Sequence, residues 1–293
     1  MRTPWCFGIL LAAAGTAAAQ DMPLSQILPP GEGWQVALKD CKSAGALAGD
    51  GRGNVYVADP DGKQIWHIDP DGKASVFAKT EGAVHGLAVA ADGRLYAAEP
   101  DSKCLVLLDA GGKELGRSED EAIRDIVVTK QGAIYGTLAG EKGVFLFNRG
   151  KKRKVGEGVA SPGGLALWAD GGTLVVGDAG DKYLYAFRMG KDGDLDARDR
   201  YYPFWVRPKE PSGNAGLTLD AAGRAYATSR EGVQVFDPTG RLSGILVAPE
   251  RAPLGGVAFG GADLDRLYVA CGGKVYVRKL LTKGVKAVEQ KGS

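Results

Sequence analysis

The sequence predicts an all-β fold, a six-bladed β-propeller of four-stranded antiparallel blades, and three observations support this prediction. A short apolar hairpin recurs six times at intervals of 40, 39, 39, 52 and 40 residues, and a period of about 40 is typical of propeller blades. Each repeat contains several short strand patterns separated by turn residues. No amphipathic helical stretch of useful length interrupts them. The apolar anchors are Leu47, Leu87, Ile126, Leu165, Leu217 and Val257 in the first strand of the hairpin, and Tyr56, Tyr96, Tyr135, Val175, Tyr226 and Tyr268 in the second.

Residues 85–97 contain the clearest copy of the hairpin. An apolar strand is followed by Asp92-Gly93 and by a second strand with an aromatic residue, and an Asp-Gly pair supplies the positive φ angles of a two-residue turn. The first strand of each copy is apolar on both faces, as expected of a strand between neighbouring blades. A third apolar strand follows, for example at 144–147, and turns such as 69–72 lead into a fourth.

Residues 33–38 form a strand pattern that precedes the first hairpin and has no hairpin of its own. We predict that this segment is the outer strand of blade six, so that the two ends of the chain share one blade. Such a closure leaves no long exposed sheet edge across the ring. The segment at 285–288 is expected to compete for that sheet or to extend it.

Residues 1–19 are predicted to be a signal peptide, and residues 20–293 a single propeller domain. Arg2 precedes a short apolar stretch, and three alanines at 17–19 form a small-residue cleavage site. The apolar stretch is shorter than the roughly 20 residues of a membrane helix. We therefore expect a secreted or periplasmic protein without membrane insertion.

Charge and cysteine content restrict the choice of partners. The 37 basic and 35 acidic side chains nearly balance, which argues against nucleic-acid binding. The basic run at 149–154 is interpreted as a solvated hairpin tip. Three cysteines follow the leader, so either Cys41 and Cys271 close the ring through a disulfide or all three are free thiols.

Residues 257–269 resemble the last-blade motif of the senescence marker protein, gluconolactonase and luciferin-regenerating enzyme family. Segments 161–165, 192–195, 216–220 and 279–284 add to the resemblance, which covers nearly all of the chain after the leader. The resemblance implies a six-bladed propeller. It also implies a lactonase or esterase activity that depends on a divalent metal, because many members have one.

Members of this family hold one metal at the mouth of the central channel, on residues that open the innermost strands. The family has Glu there in blade one, Asn in blades three and four, and Asp in blade five, whereas this chain aligns Gly45, Arg124, Gly163 and Ala215. Glycine and alanine offer no side-chain ligand, and arginine adds a fixed positive charge. We therefore expect no cofactor, and a divalent metal such as calcium only if an altered site exists.

The channel mouth is the predicted ligand site. Its opening positions are Gly45, His85, Arg124, Gly163, Ala215 and Gly255, and the candidate ligand-binding side chains are His85, Arg124, Asp125, Glu99, Asp178 and Asp59. In one interpretation, the histidine and arginine meet an anionic or carbonyl-bearing ligand and the carboxylates orient them. In the other, the carboxylates at the ends of the second strands accept backbone N–H bonds in turns, and the arginine pairs with one of them.

Two classes of function therefore stay open. The first is a gluconolactonase-like propeller that has lost the usual metal ligands and binds a small molecule or a partner protein at the mouth. The second is an atypical metal-dependent lactonase or esterase that uses the carboxylates and His85 as ligands. Aromatic residues at 201–205 follow an extended outer strand in the 52-residue interval. They either form a ligand lid or pack against the flank of the blade.

Overall fold

The computed structural model describes residues 22–119, 121–148 and 150–287. Short strands dominate because apolar runs alternate with turn residues throughout the chain. The only helical element among the described residues is a single turn of 3-10 helix, Leu24–Gln26. The strands are β1 (Gln35–Leu38), β2 (Leu47–Gly49), β3 (Val55–Asp59), β4 (Gln64–Ile68), β5 (Ala74–Lys79), β6 (Gly86–Val89), β7 (Leu95–Glu99), β8 (Cys104–Leu108), β9 (Glu114–Glu119), β10 (Ile123–Val128), β11 (Ile134–Leu138), β12 (Val144–Asn148), β13 (Lys151–Gly156), β14 (Pro162–Leu167), β15 (Thr173–Asp178), β16 (Tyr183–Met189), β17 (Leu195–Pro203), β18 (Leu217–Leu219), β19 (Ala225–Ser229), β20 (Gly232–Phe236), β21 (Leu242–Leu246), β22 (Leu254–Gly260), β23 (Arg266–Cys271) and β24 (Lys274–Lys279).

The strands form six antiparallel four-stranded sheets, which confirms the predicted six-bladed propeller. Blades one to five each use four consecutive strands, from β2–β5 to β18–β21. Successive innermost strands contact one another all the way round, including β22 with β2. We call the end of the channel where the innermost strands begin the upper end, and the opposite end the lower end.

Blade six is shared between the two ends of the chain, as predicted. Its strand order is β1-β24-β23-β22, with Gln35 opposite Val277 and Val36 opposite Tyr276. Leu38 at the end of β1 is 4% exposed and Ile27 before it is 2% exposed. The amino-terminal segment therefore covers apolar surface that the carboxyl-terminal strands alone would leave in water.

The innermost strands of neighbouring blades lie close together at the upper end because the residues at their points of contact are small. A Cβ atom on Gly216 would lie 2.7 Å from the carbonyl oxygen of Gly255 on the next blade, closer than real Cβ contacts. The N–H group of Gly256 donates to the carbonyl of Gly45 at 2.8 Å, which joins blade six to blade one. Glycine at these positions permits backbone contact between blades.

Residues 281–287 cross the lower end of the channel instead of joining blade six, so the prediction that 285–288 extends that sheet is wrong for its described part. Gly284 forms a bridge with Asp220 of blade five, and the N–H of Ala287 donates to the carbonyl of Gly51 in blade one at 3.0 Å. Because β1 already occupies the outer position of blade six, the tail instead forms backbone hydrogen bonds with the hairpins at the lower end of the channel. Val288 lies outside the described residues.

Four further predictions meet the structure in different ways. The predicted leader, 1–19, lies outside the described residues. Residues 151–154 run along the exposed outer strand β13, so the interpretation of 149–154 as a hairpin tip is wrong for these four, and Arg149 is not described. No helix in the described ranges is long and apolar enough to cross a membrane. Cys41, Cys104 and Cys271 are free thiols within the described ranges, so the disulfide alternative is absent and the free-thiol alternative is confirmed.

Candidate ligand site at the channel mouth

A central channel of about 410 Å³ runs between the six innermost strands, and Val285 of the tail lines its lower part. Each innermost strand is the edge of its sheet, so part of its backbone N–H and C=O groups has no strand partner. Such groups are hydrogen-bonding sites for any molecule inside. The channel wall is therefore polar along its backbone edges.

The upper end of this channel contains the predicted ring of opening residues. All six of them line it: Gly45, His85, Arg124, Gly163, Ala215 and Gly255. His85 and Arg124 are both exposed and stand on adjacent blades. The mouth therefore has two polar side chains on one side, while the remaining opening positions present glycine or alanine.

A β-bulge places Arg124 and Asp125 together at the mouth. Ile123 pairs with Leu138 and Asp125 pairs with Thr137, which leaves Arg124 as the extra residue of β10. A bulge redirects a side chain locally, and both bulge residues line the channel. In the described part of the chain, the guanidinium of Arg124 has no hydrogen bond or ion pair, so its predicted pairing with a turn carboxylate is absent there.

The carboxylate of Asp125 links two blades. Its Oδ1 accepts the N–H of Ile126 at 2.9 Å and its Oδ2 accepts the N–H of Leu165 on blade four at 3.0 Å. Burial raises the pKa of Asp125 to about 7, against the opposing effects of these two N–H donors and of Arg124. On blade two the titratable residue of the channel lining is His85, whereas Thr137 and residues 162–167 of blade four contribute no titratable group.

Asn214 is a polar residue of the channel that the sequence reasoning missed. It is 2% exposed and lines the channel wall. Its Oδ1 accepts the N–H of Gly164 at 3.0 Å, and its Nδ2 donates to the carbonyls of Gly216 and Thr228, each at 3.0 Å. The available signal was its place directly before the opening position Ala215.

Two of the predicted site carboxylates, Asp59 and Asp178, do not line the channel. Oδ1 of Asp59 accepts the N–H of Ser43 at 2.9 Å, and burial opposes but does not outweigh the bonds that lower the pKa of Asp59. Asp178 accepts the N–H groups of Ala160 and Ser161 at 2.8 and 3.1 Å. Both carboxylates thus hold the loop that leads into the innermost strand of their own blade, as the second interpretation proposed.

Glu99, the third of these carboxylates, lies in a separate side pocket of about 260 Å³ that Cys104, Arg117 and Glu119 also line. It is 1% exposed, and burial raises its pKa. The expectation that the ends of the second strands meet at the mouth is wrong. The physical reason is that the second strand stands one strand spacing, about 4.8 Å, further from the axis.

The end of β17 and the loop after it contact blade five. Tyr202 is fully buried and packs against Phe236. Trp205 is 52% exposed, and the side chain of Gln234 bonds both its N–H and its carbonyl, at 2.8 and 2.6 Å. Trp205 is not among the residues that line the channel. In this structure the aromatic residues therefore pack against the flank or face solvent rather than cover the mouth.

The residues at the mouth do not fit a divalent metal. Among the described residues no group of three or more His, Cys, Asp or Glu side chains could hold one. Of the described residues that line the channel, Asp125 is the only one with a carboxylate, and each of its oxygens already accepts a backbone N–H. The positive charge of Arg124 beside it opposes a cation.

The raised pKa of Asp125 predicts a pH-dependent cost to stability. Asp125 keeps a proton in the folded protein that the unfolded chain releases between the ordinary aspartate pKa of 3.8 and about 7, so its contribution to stability is lost as pH rises through that range. Asp125→Asn removes the titrating carboxyl and with it this pH-dependent contribution to stability. We expect the melting temperature of the wild type minus that of Asp125→Asn to fall from pH 4 to pH 7 in a thermal-denaturation series. A difference that stays constant would contradict the raised pKa.

Comparison with known proteins identifies the family. Residues 43–272 match the profile described as SMP-30/Gluconolactonase/LRE-like region. The pentonolactonase XacC of Haloferax volcanii is 26% identical over 229 residues, which cover 75% of this chain and 77% of that protein.

Solved structures share the fold. A gluconolactonase, XC5397 from Xanthomonas campestris, superposes with a TM-score of 0.72 at 22% identity, covering 88% of this chain and 92% of that one. The calcium-binding protein regucalcin from Agrobacterium tumefaciens gives a TM-score of 0.69 at 17% identity, covering 86% and 95%. With the profile match over most of the propeller, the chain belongs to the SMP-30/gluconolactonase/LRE-like family.

Proposed function

We propose that this protein is an exported propeller that binds a small polar molecule with a carboxylate or a polarised carbonyl at the mouth of its channel. The observation that carries the proposal is the guanidinium of Arg124. It lines the mouth beside His85 and has no side-chain partner among the described residues. Arginine grips a carboxylate through two parallel N–H bonds, which are stronger than bonds between neutral groups.

The ligand class follows from the rest of the channel. The exposed backbone edges of the innermost strands and the amide of Asn214 offer hydrogen bonds to hydroxyl groups. The related pentonolactonase is named for a sugar lactone. We therefore propose sugar acids and their lactones as ligands. The near-neutral net charge of +2 favours a small molecule over nucleic acid as the partner.

Removing the guanidinium should weaken binding without unfolding the ring. We expect Arg124→Ala to lower the affinity for D-gluconate or D-xylonate by about tenfold or more, because a charge-assisted hydrogen bond contributes roughly 1.5–3 kcal/mol. Titration calorimetry would measure the affinity, and the melting temperature of the free protein would report on the fold.

Arg251→Ala is the matched control. Arg251 is also exposed, precedes β22 at the same end of the ring and lies outside the channel lining, so its loss should leave affinity unchanged. Treatment with a chelator should also leave affinity unchanged, because the proposed site uses no metal. Equal affinities for wild type and Arg124→Ala would contradict the proposal, and a strict requirement for calcium or zinc would favour the altered metal site.

A further inference from the structure

We propose that the protein hydrolyses a lactone bound at the mouth without a metal ion. Asp125 acts as the general base that activates water, and Arg124 donates hydrogen bonds to the lactone carbonyl. The inference rests on the proposed function, since it needs the lactone to occupy the same site. It assigns a reaction to that site.

The first argument is the position of Asp125 in the ring. It directly precedes the apolar anchor of its innermost strand, where every other blade has a small residue and neighbouring backbones nearly touch. A Cβ atom on Gly86, the matching residue of blade two, would lie 2.6 Å from the carbonyl oxygen of Arg124. The matching residues of the other blades are Ala46, Gly86, Gly164, Gly216 and Gly256. Of these six matching residues, Asp125 alone has a side chain longer than a methyl group. The side chain of Asn214 reaches the same level from the preceding loop, where it bonds Gly164 and Gly216.

The second argument is that joining the blades does not require a carboxylate. At the junction of blades four and five, the neutral amide oxygen of Asn214 accepts the N–H of Gly164. At the junction of blades six and one, the carbonyl of Gly45 accepts the N–H of Gly256. Asp125 does the same for the N–H of Leu165 through one oxygen, and a single neutral acceptor would be enough for that bond between blades. The other oxygen accepts only the N–H of Ile126 in the same strand, so the junction between the blades does not account for the negative charge.

The third argument is the capacity of the carboxylate to accept a proton. Each oxygen has two lone-pair sites and accepts one backbone N–H, so one site on each oxygen remains. The residue is partly exposed and lines the channel. A pKa of about 7 supports the role, because a general base works best when its pKa lies near the working pH.

The reaction balances with water as the only co-reactant. The oxygen of water bonds to the lactone carbonyl carbon while Asp125 takes one of its protons. The carbonyl oxygen becomes an oxyanion, which accepts hydrogen bonds from Arg124. The bond between the carbonyl carbon and the ring oxygen then breaks, and the ring oxygen takes the proton back from Asp125. The product is the open hydroxy acid, which releases its own proton to solvent.

The test uses the full chain after chelator treatment, with D-gluconolactone and D-xylonolactone as substrates and the spontaneous rate subtracted. We expect the wild type to hydrolyse at least one of them, with kcat/KM rising to a plateau as pH passes through about 7. Asp125→Asn should keep its fold and its affinity for the matching sugar acid, because the amide oxygen can still accept the N–H of Leu165 that joins the blades, and only the bond to the N–H of Ile126 is lost. Its kcat should fall about 100-fold or more, the size of a general-base contribution.

Asp101→Asn removes an exposed carboxylate at the same end of the ring and should leave kcat unchanged. The inference is overturned if Asp125→Asn keeps the wild-type kcat, or if turnover needs added metal. It is also overturned if the wild-type profile shows no rise near pH 7, a readout that does not depend on how the variant folds. If the wild type binds D-gluconate but hydrolyses neither lactone, the base role fails and the proposed function stands. If it neither binds nor hydrolyses, both fail.

Discussion

A chain that starts after Leu38 should melt roughly 10–20 °C below a reference chain that starts at Met22, and in one transition. The deletion removes β1 from β24 and uncovers the core that Ile27 and Leu38 close, two side chains that are 2% and 4% exposed. Removing one such buried side chain lowers the free energy of unfolding by about 2–5 kcal/mol. A domain of this size loses about 2–4 °C for each kcal/mol.

Differential scanning calorimetry would measure both chains. Val36→Ala in the reference chain is a mild control, because Val36 is 54% exposed and its truncation removes little buried area. Equal melting temperatures for the two chains would mean that β1 does not close the ring. Two separate transitions in the shortened chain would show that blade six unfolds independently of the rest.

Asp220→Ala should destabilise the protein by about 3–5 kcal/mol, the range for removing one partner of a buried ion pair. Asp220 is fully buried, and its Oδ2 accepts from Thr282 Oγ1 at 2.8 Å, Tyr226 OH at 3.1 Å and Arg224 Nη1 at 3.2 Å. The substitution leaves the buried Arg224 unpaired and two hydroxyls without their acceptor. Chemical denaturation would measure the loss.

Asp50→Ala is the matched control for Asp220→Ala. Asp50 occupies the same turn of blade one and accepts the N–H groups two and four residues further on, as Asp220 does. It is only partly buried, so we expect a loss of about 1 kcal/mol. Hydrogen exchange at Gly284 should also become faster in Asp220→Ala alone, because Thr282 anchors the tail. Similar losses for the two variants would contradict the central role of Asp220.

The sequence was sufficient to predict the fold and its closure. An innermost strand packed between two blades must be apolar on both faces, so residues such as Leu87 and Ile126 repeat at the interval of one blade. The strand pattern at 33–38 had no hairpin partner nearby, and only the outer position of blade six remained. Both inferences depend on periodicity, which a single sequence displays.

The site was only partly predictable. The opening positions follow directly from the strand pattern, and His85, Arg124 and Asp125 do line the mouth. Knowing that a residue ends a strand does not give the distance of its side chain from the channel axis. Asp59, Glu99 and Asp178 were therefore predicted too close to the channel. Asn214 was missed because a single asparagine in a loop has no periodic signal, and its role depends on the approach of Gly164 from another blade.

The sharing of blade six between the chain ends sets the order in which the ring can form. Arg278 donates to the carbonyl of Glu32 across 246 positions, and β1 pairs with the last strand of the chain. Contacts at such separation carry the largest loop-closure entropy, and their formation is slow. Blades one to five can assemble as each is synthesised, whereas the final seam must wait for the last blade. Until then the segment before β2 has no partner strand, and the edge of blade six is exposed to pairing with other chains.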